Sequence, residues 1–191
     1  AKVTPILWLL TLIWLMVFFF VNQWTPALLA ARGFPIQVAQ MGTTLFQTGC
    51  LVGGLLVMRP LDKWGYLPVT LLCAFSIPVV AAMGIADLPQ NVCLTLAFLS
   101  GIGVAGAQFG TFAVETQVYP TYMRALGVGT CVAAGRGGSV LGPIAGGILL
   151  AMKLPISALF LVAAGALVIG FVASIIFTPL YRARLKEMET V

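Results

Sequence analysis

Arg136 is a cation inside an apolar, glycine-rich stretch, Ala125–Met152. A rise of about 1.5 Å per residue from Leu126 puts it about 15 Å deep, near the middle of a hydrocarbon slab about 30 Å thick. A guanidinium keeps its proton there, so it has to face water, a partner or an anionic ligand. Two amides share that depth. Gln47 lies about 18 Å from both Pro35 and Arg59, and Gln108 about 16 Å from Tyr119. Asn22, with Gln23 beside it, falls in the outer third of the first apolar stretch.

An amide in lipid is costly unless paired, so these side chains should face the interior of a bundle or a cavity. Gln47 and Gln108 taken singly read equally well as hydrogen-bonding glue between helices. Three polar groups at one depth, one of them a cation, favour a ligand site at the midplane, where membrane carriers bind. Helical spacing supports the grouping. Gln40, Thr43, Thr44 and Gln47 fall on one stripe; Gln108, Thr111 and Glu115 on another; Arg136 and Ser139 on a third.

Arg136 has an alternative reading as half of a structural or gating pair, neutralised by Glu115 or by an acid outside this chain. Glu115 is shallower, only a few residues from Tyr119. Its more natural partners are Arg124 or the Arg59–Lys63 segment, as a latch closing one end of the bundle, and Asp62 is a further gating or coupling residue of that segment. A proton-carrying role for Glu115 is the remaining option.

Those residues need helices to hold them, and composition says which kind. The chain is 61% hydrophobic and 8% charged, with a mean hydropathy of +1.09. A soluble domain of this size needs far more polar surface, so the class is an all-α polytopic membrane protein embedded in a lipid bilayer. The net charge of +5 comes from residues at helix ends, not along one face, and no nucleic-acid platform is expected. Histidine is absent, which removes HExxH zinc chemistry and His-activated nucleophiles. Cys50, Cys73, Cys93 and Cys131 form no CxxC pair and read as buried small hydrophobes. No metal, cofactor or covalent chemistry is expected.

Hydropathy and breaker residues divide residues 1–180 into six transmembrane spans, about 4–31, 35–58, 67–85, 89–118, 125–152 and 155–180. The punctuation is Arg32-Gly33-Phe34-Pro35, Arg59-Pro60-Leu61-Asp62-Lys63-Trp64-Gly65, Asp87-Leu88-Pro89, Tyr119-Pro120-Thr121 and Lys153-Leu154-Pro155. Connections this short make consecutive helices antiparallel neighbours. Residues 181–191 form a charged, helix-prone tail expected to be solvated. Lys2, Arg59, Lys63, Arg124, Arg182, Arg184 and Lys186 gather at one end of the spans, against Arg32 and Lys153 at the other. That bias puts both ends of the chain on the cytoplasmic side of an inner membrane. Trp8, Trp24, Trp64, Tyr66, Tyr119 and Tyr181 fall at expected interfaces, as an aromatic belt does. The chain begins at Ala1 without a methionine and reads as a piece of something longer.

Gly138-x-x-x-Gly142-Pro143-x-x-Gly146-Gly147 joins small-residue spacing to a proline kink; Gly49-x-x-x-Gly53-Gly54 and Gly101-x-Gly103-x-x-Gly106 repeat the theme. Small residues let helix backbones approach closely. The outcome is either static tight packing or a helix that rocks against its neighbour.

These motifs carry a resemblance over essentially the whole chain. It resembles the C-terminal six-helix half of a major facilitator superfamily transporter. Arg59-Pro60-Leu61-Asp62-Lys63-Trp64-Gly65 is similar to the superfamily's Gly-x-x-x-Asp-Arg/Lys-x-Gly loop, with Met58 in place of the leading glycine. Tyr119-Pro120-Thr121-Tyr122-Met123-Arg124-Ala125-Leu126-Gly127-Val128-Gly129 is similar to the YPTxxRAxGxG signature. With Gly135-Arg136-Gly137-Gly138, Gly142-Pro143 and Trp24-Thr25-Pro26, it looks most like the aromatic acid:proton symporter group. The resemblance implies uptake of a small organic anion, an aromatic carboxylate, together with protons. Arg136 would then take the carboxylate, Gln47 and Gln108 the ring hydroxyls, and Phe18, Phe19 or Phe20 the ring face. It also implies an N-terminal six-helix half outside this chain, in which the proton-coupling motif lies. A sugar carrier or drug exporter of the same superfamily is the nearest alternative, and a channel subunit or membrane scaffold the more distant one.

Overall fold

The computed structural model describes residues 3–85 and 88–189, without side chains at 156 and 186–189. Lys2, Asp87, the Lys186 side chain and residues 190–191 of the tail lie outside the described residues. The described residues form six helices and no strand: α1 Val3–Ala31, α2 Ile36–Trp64, α3 Leu67–Met83, α4 Gln90–Val118, α5 Arg124–Ala151 and α6 Ile156–Glu189. Four of them, α1, α2, α4 and α6, are long and apolar enough to cross a membrane. α3 is equally apolar but has 17 residues, about 25 Å at the helical rise. α5, at 28 residues, is long enough, and Arg136 with its glycines dilutes its apolar character.

Two helices outrun the breaks expected for them. α2 continues through Arg59-Pro60 as far as Trp64. An interior proline forfeits one backbone bond, but Leu61 and Val57 hold this turn in the core. The stop comes at Gly65, whose φ of 64° suits glycine and whose N–H donates to the Leu61 carbonyl at 2.9 Å. α6 likewise passes Pro179 and takes in the tail's first residues. Tyr181 anchors it, buried against Tyr66 and Phe177, with its hydroxyl donating to Gln117 Oε1 at 2.5 Å.

α1 and α4 form the middle of the bundle. α5 packs along α1, α2 along α4, and α3 and α6 pack on each other behind the central pair, while α2 and α5 do not touch. Two crossings depend on missing side chains. A Cβ at Gly138 or Gly142 would strike the carbonyls of Leu12 or Met16 on α1, and one at Gly146 would strike the Trp24 indole. Between α2 and α4, Gly49 meets the Phe98 carbonyl and Gly101 the Phe46 carbonyl in the same way. The core, with Trp14, Phe46, Tyr66, Phe160 and Phe177 fully buried, lies mainly among α1, α2, α3, α4 and α6.

Three residues expected in an aromatic belt turn inward. Tyr66, Tyr119 and Tyr181 are buried, whereas Trp8 and Trp64 are exposed. Each inward tyrosine has a partner for its hydroxyl: Thr111 at 3.1 Å, Thr4 at 3.1 Å and Gln117 at 2.5 Å. That satisfaction is what lets a phenol leave the interface.

Candidate functional site

Polar side chains divide between an outward face and a sealed interior. On the outward face α5 presents Arg136, exposed and, among the described residues, without a hydrogen-bond or ion-pair partner for its guanidinium. Its backbone carbonyl accepts from Ser139 Oγ at 2.7 Å, which turns Ser139 back onto its own helix. α2 presents Gln40, Thr44, Gln47 and Thr48, all exposed. The two threonines bond to carbonyls of their own helix, Thr44 to Gln40 at 3.2 Å and Thr48 to Thr44 at 2.9 Å. Gln47 is therefore the group on this stripe that reaches a neighbour, donating from Nε2 to Asn22 Oδ1 on α1 at 3.4 Å. Half-buried Phe19 sits one turn before Asn22 and meets Phe18 edge-on at 5.4 Å.

Gln108 is nearly enclosed in α4 at 6% exposure, and its Oε1 is buried without a hydrogen-bond donor among the described residues. No hydrogen bond joins it to Arg136. Thr111 is deeper still, donating to the Ala107 carbonyl at 2.9 Å and paired with the Tyr66 hydroxyl. Burial pushes the Tyr66 hydroxyl up to about 12, so it stays neutral as a partner at any physiological pH. The structure thus joins Gln47 to Asn22 and keeps Gln108 and Thr111 inside.

Glu115 stands differently from the latch expected of it. It is fully buried, with Oε1 accepting from Thr11 Oγ1 on α1 at 2.5 Å and Oε2 without a partner among the described residues. Arg124 does not meet it; its Nε donates to the Tyr119 carbonyl at 3.4 Å. Arg59 and Asp62 are exposed on the last turns of α2. No ion pair joins these four residues in this conformation.

Several contributors were not among the expected site residues. Thr11 is a lone hydroxyl in the apolar run of α1, and that isolation was its one signal. The guanidinium of Arg32 holds the far end together: it donates to the Met83 carbonyl at 2.8 Å, to the Ile85 carbonyl, and to Cys93 Sγ at 2.9 Å. A cation on the last carbonyl of α3 and on the Ile85 carbonyl just beyond it satisfies groups that the helix itself leaves free.

Over four-fifths of its length the chain is similar to proteins named as transporters of aromatic acids. It is 34% identical over 155 residues to the 3-(3-hydroxy-phenyl)propionate transporter of Escherichia coli (strain K12), covering 80% of this chain and 38% of that protein. It is 24% identical to the gentisate transporter of Corynebacterium glutamicum, covering 80% and 34%. It is 29% identical to the 4-hydroxybenzoate transporter PcaK of Pseudomonas putida, covering 78% and 34%. The chain thus spans about a third of the length of these relatives. No protein-family model matches it. Apolar helices and transporter relatives together make this a multi-pass membrane protein, and its resemblance to the aromatic acid group of the major facilitator superfamily holds over four-fifths of the chain.

Proposed function

We propose that the protein carrying this chain is a secondary active transporter that takes up an aromatic carboxylate together with protons. It works by alternating access between this bundle, its C-terminal half, and an N-terminal half of six further helices. The observation that carries the reading is the unpartnered Arg136 guanidinium on α5, in a chain whose relatives are named for hydroxylated aromatic acids. A planar fork of donors matches a carboxylate with two parallel hydrogen bonds. Across α1, the Phe19 ring offers an apolar face, and the Gln47–Asn22 pair offers amides to ring hydroxyls. The lone Oε1 of Gln108 is a further acceptor for a hydroxyl that reaches inward. Cytoplasmic placement of both chain ends in an inner membrane follows from the end-biased lysines and arginines.

The backbone contacts at Gly138 and Gly142, with the Trp24 indole against Gly146, support rocking of α5 on α1, with Pro143 inside α5 as the flexible point. Arg59, Asp62 and Arg124 are exposed at the basic end, where a latch with the other half would form and break during the cycle. Glu115 would join them only after leaving Thr11. Proton coupling belongs to the other half. Uptake of labelled hydroxybenzoate into vesicles holding the whole protein tests the reading. Saturable uptake that rises with an inward proton gradient is expected; no uptake by the wild type removes the aromatic-acid assignment.

A further inference from the structure

The outward surfaces of α3 and α6 differ from those of α2 and α5. Leu67, Leu71 and Phe75 of α3 and Val168, Val172 and Ile175 of α6 are all exposed and apolar, as a surface against acyl chains must be. At its basic end this surface opens into a groove of about 560 Å³, lined by Leu67, Ile175, Pro179 and Arg182. The hydroxyls of Thr70 and Thr178, 3.3 Å apart, also line it. A second hollow of about 560 Å³ adjoins it, lined by Lys63, Trp64, Asp62 and Leu185, and the two share Leu67 and Arg182. Lys63 Nζ lies over the Trp64 ring at 5.8 Å from its centre. Arg182 is exposed, and among the described residues it has no hydrogen-bond or ion-pair partner.

We infer that the α3–α6 groove binds an anionic phospholipid from the bilayer, its phosphate on Arg182 and Lys63 and one acyl chain along Leu67, Ile175 and Pro179. Charge decides the occupant. An apolar slot alone accepts any lipid tail, but two cations against one carboxylate at its mouth favour a headgroup with net negative charge over a zwitterion. Basic pockets between helices at a cytoplasmic surface select anionic headgroups in this way, with about 1 kcal/mol per basic residue. The exposed Trp64 indole marks the headgroup level. This site is separate from the Arg136 face and does not depend on the transport reading.

The test is native mass spectrometry of the delipidated whole protein, titrated with phosphatidylglycerol and with phosphatidylcholine of the same chains. Phosphatidylglycerol should be retained preferentially, and Arg182→Gln should weaken it roughly fivefold while leaving phosphatidylcholine unchanged. Ile175→Trp narrows the apolar slot without touching charge and should weaken both lipids. Soluble glycerol 3-phosphate should not bind at the same concentration. A melting temperature equal to the wild type shows that each variant is folded. Equal retention of the two lipids, an Arg182→Gln variant that still prefers phosphatidylglycerol, or binding of the headgroup alone would each overturn the inference.

Discussion

Thr11 and Glu115, 104 positions apart in the chain, meet in the sealed centre of the bundle with Thr11 Oγ1 at 2.5 Å from Glu115 Oε1. Thr11 also packs against Gly135, so one side chain of α1 touches both α4 and α5. Thr11→Val keeps the volume and deletes the hydroxyl, leaving a buried carboxyl with neither oxygen bonded. Loss of about 1–3 kcal/mol is expected for an orphaned buried polar group. Thermal unfolding in detergent should show a lower midpoint for Thr11→Val than for Thr11→Ser; matching midpoints would contradict this role for the hydroxyl.

The α1–α5 crossing should tolerate no side chain where the backbones touch. Gly138→Val and Gly142→Val force a methyl group into the Leu12 and Met16 carbonyls. Overpacking of this kind costs about 1–3 kcal/mol or more. Gly137→Ala and Gly147→Ala, with nothing near the added methyl, should leave the midpoint unchanged or raised. A melting series across the four variants checks the contrast, and equal effects at all four would mean that the helices do not meet on this stripe.

Arg32 predicts a local effect. Arg32→Ala frees the Met83 and Ile85 carbonyls and should loosen the end of α3, with a cost of about 1.5–3 kcal/mol for hydrogen bonds from a charged donor. Hydrogen exchange should accelerate around the α1–α2 turn and the end of α3 more than in the α1–α5 crossing. Uniform acceleration would point instead to a global loss.

The helices themselves were legible because long apolar runs separated by glycine and proline have few other readings. Their ends were less so. Pro60 read as a stop, yet a proline inside a helix forfeits one bond, and burial of Leu61 carries α2 past it; α6 was expected to end near residue 180, and burial of Tyr181 carries it on. Tyr66 and Tyr181 read as interface aromatics because a tyrosine at a helix end looks the same whether it faces headgroups or core. The difference lies in Thr111 and Gln117, both remote in sequence. Depth along a helix was countable for Arg136 and Gln47, but the direction each side chain faces was not. Gln108 shares their depth and points inward, and Glu115 was matched to the basic residues expected at its own end of the bundle while its partner sits on α1.

The Gln47–Asn22 pair yields a prediction about substrate choice. If these amides meet ring hydroxyls, Gln47→Leu should raise KM for hydroxybenzoates by up to about tenfold, the range of a neutral hydrogen bond. It should change KM for unsubstituted benzoate far less. Competition uptake assays with the two compounds check this, and an equal loss for both would remove Gln47 from hydroxyl recognition.

The central claim is that Arg136 takes the carboxylate. The most direct test is binding of 4-hydroxybenzoate and of its neutral amide to the purified whole protein, in the wild type and in Arg136→Gln. The wild type should prefer the acid strongly, and Arg136→Gln should bind the acid roughly thirtyfold more weakly or worse, as truncation of one member of a buried charge pair does. Its binding of the amide should barely change, with an unaltered melting midpoint. An Arg136→Gln variant that keeps its preference for the acid would contradict the account.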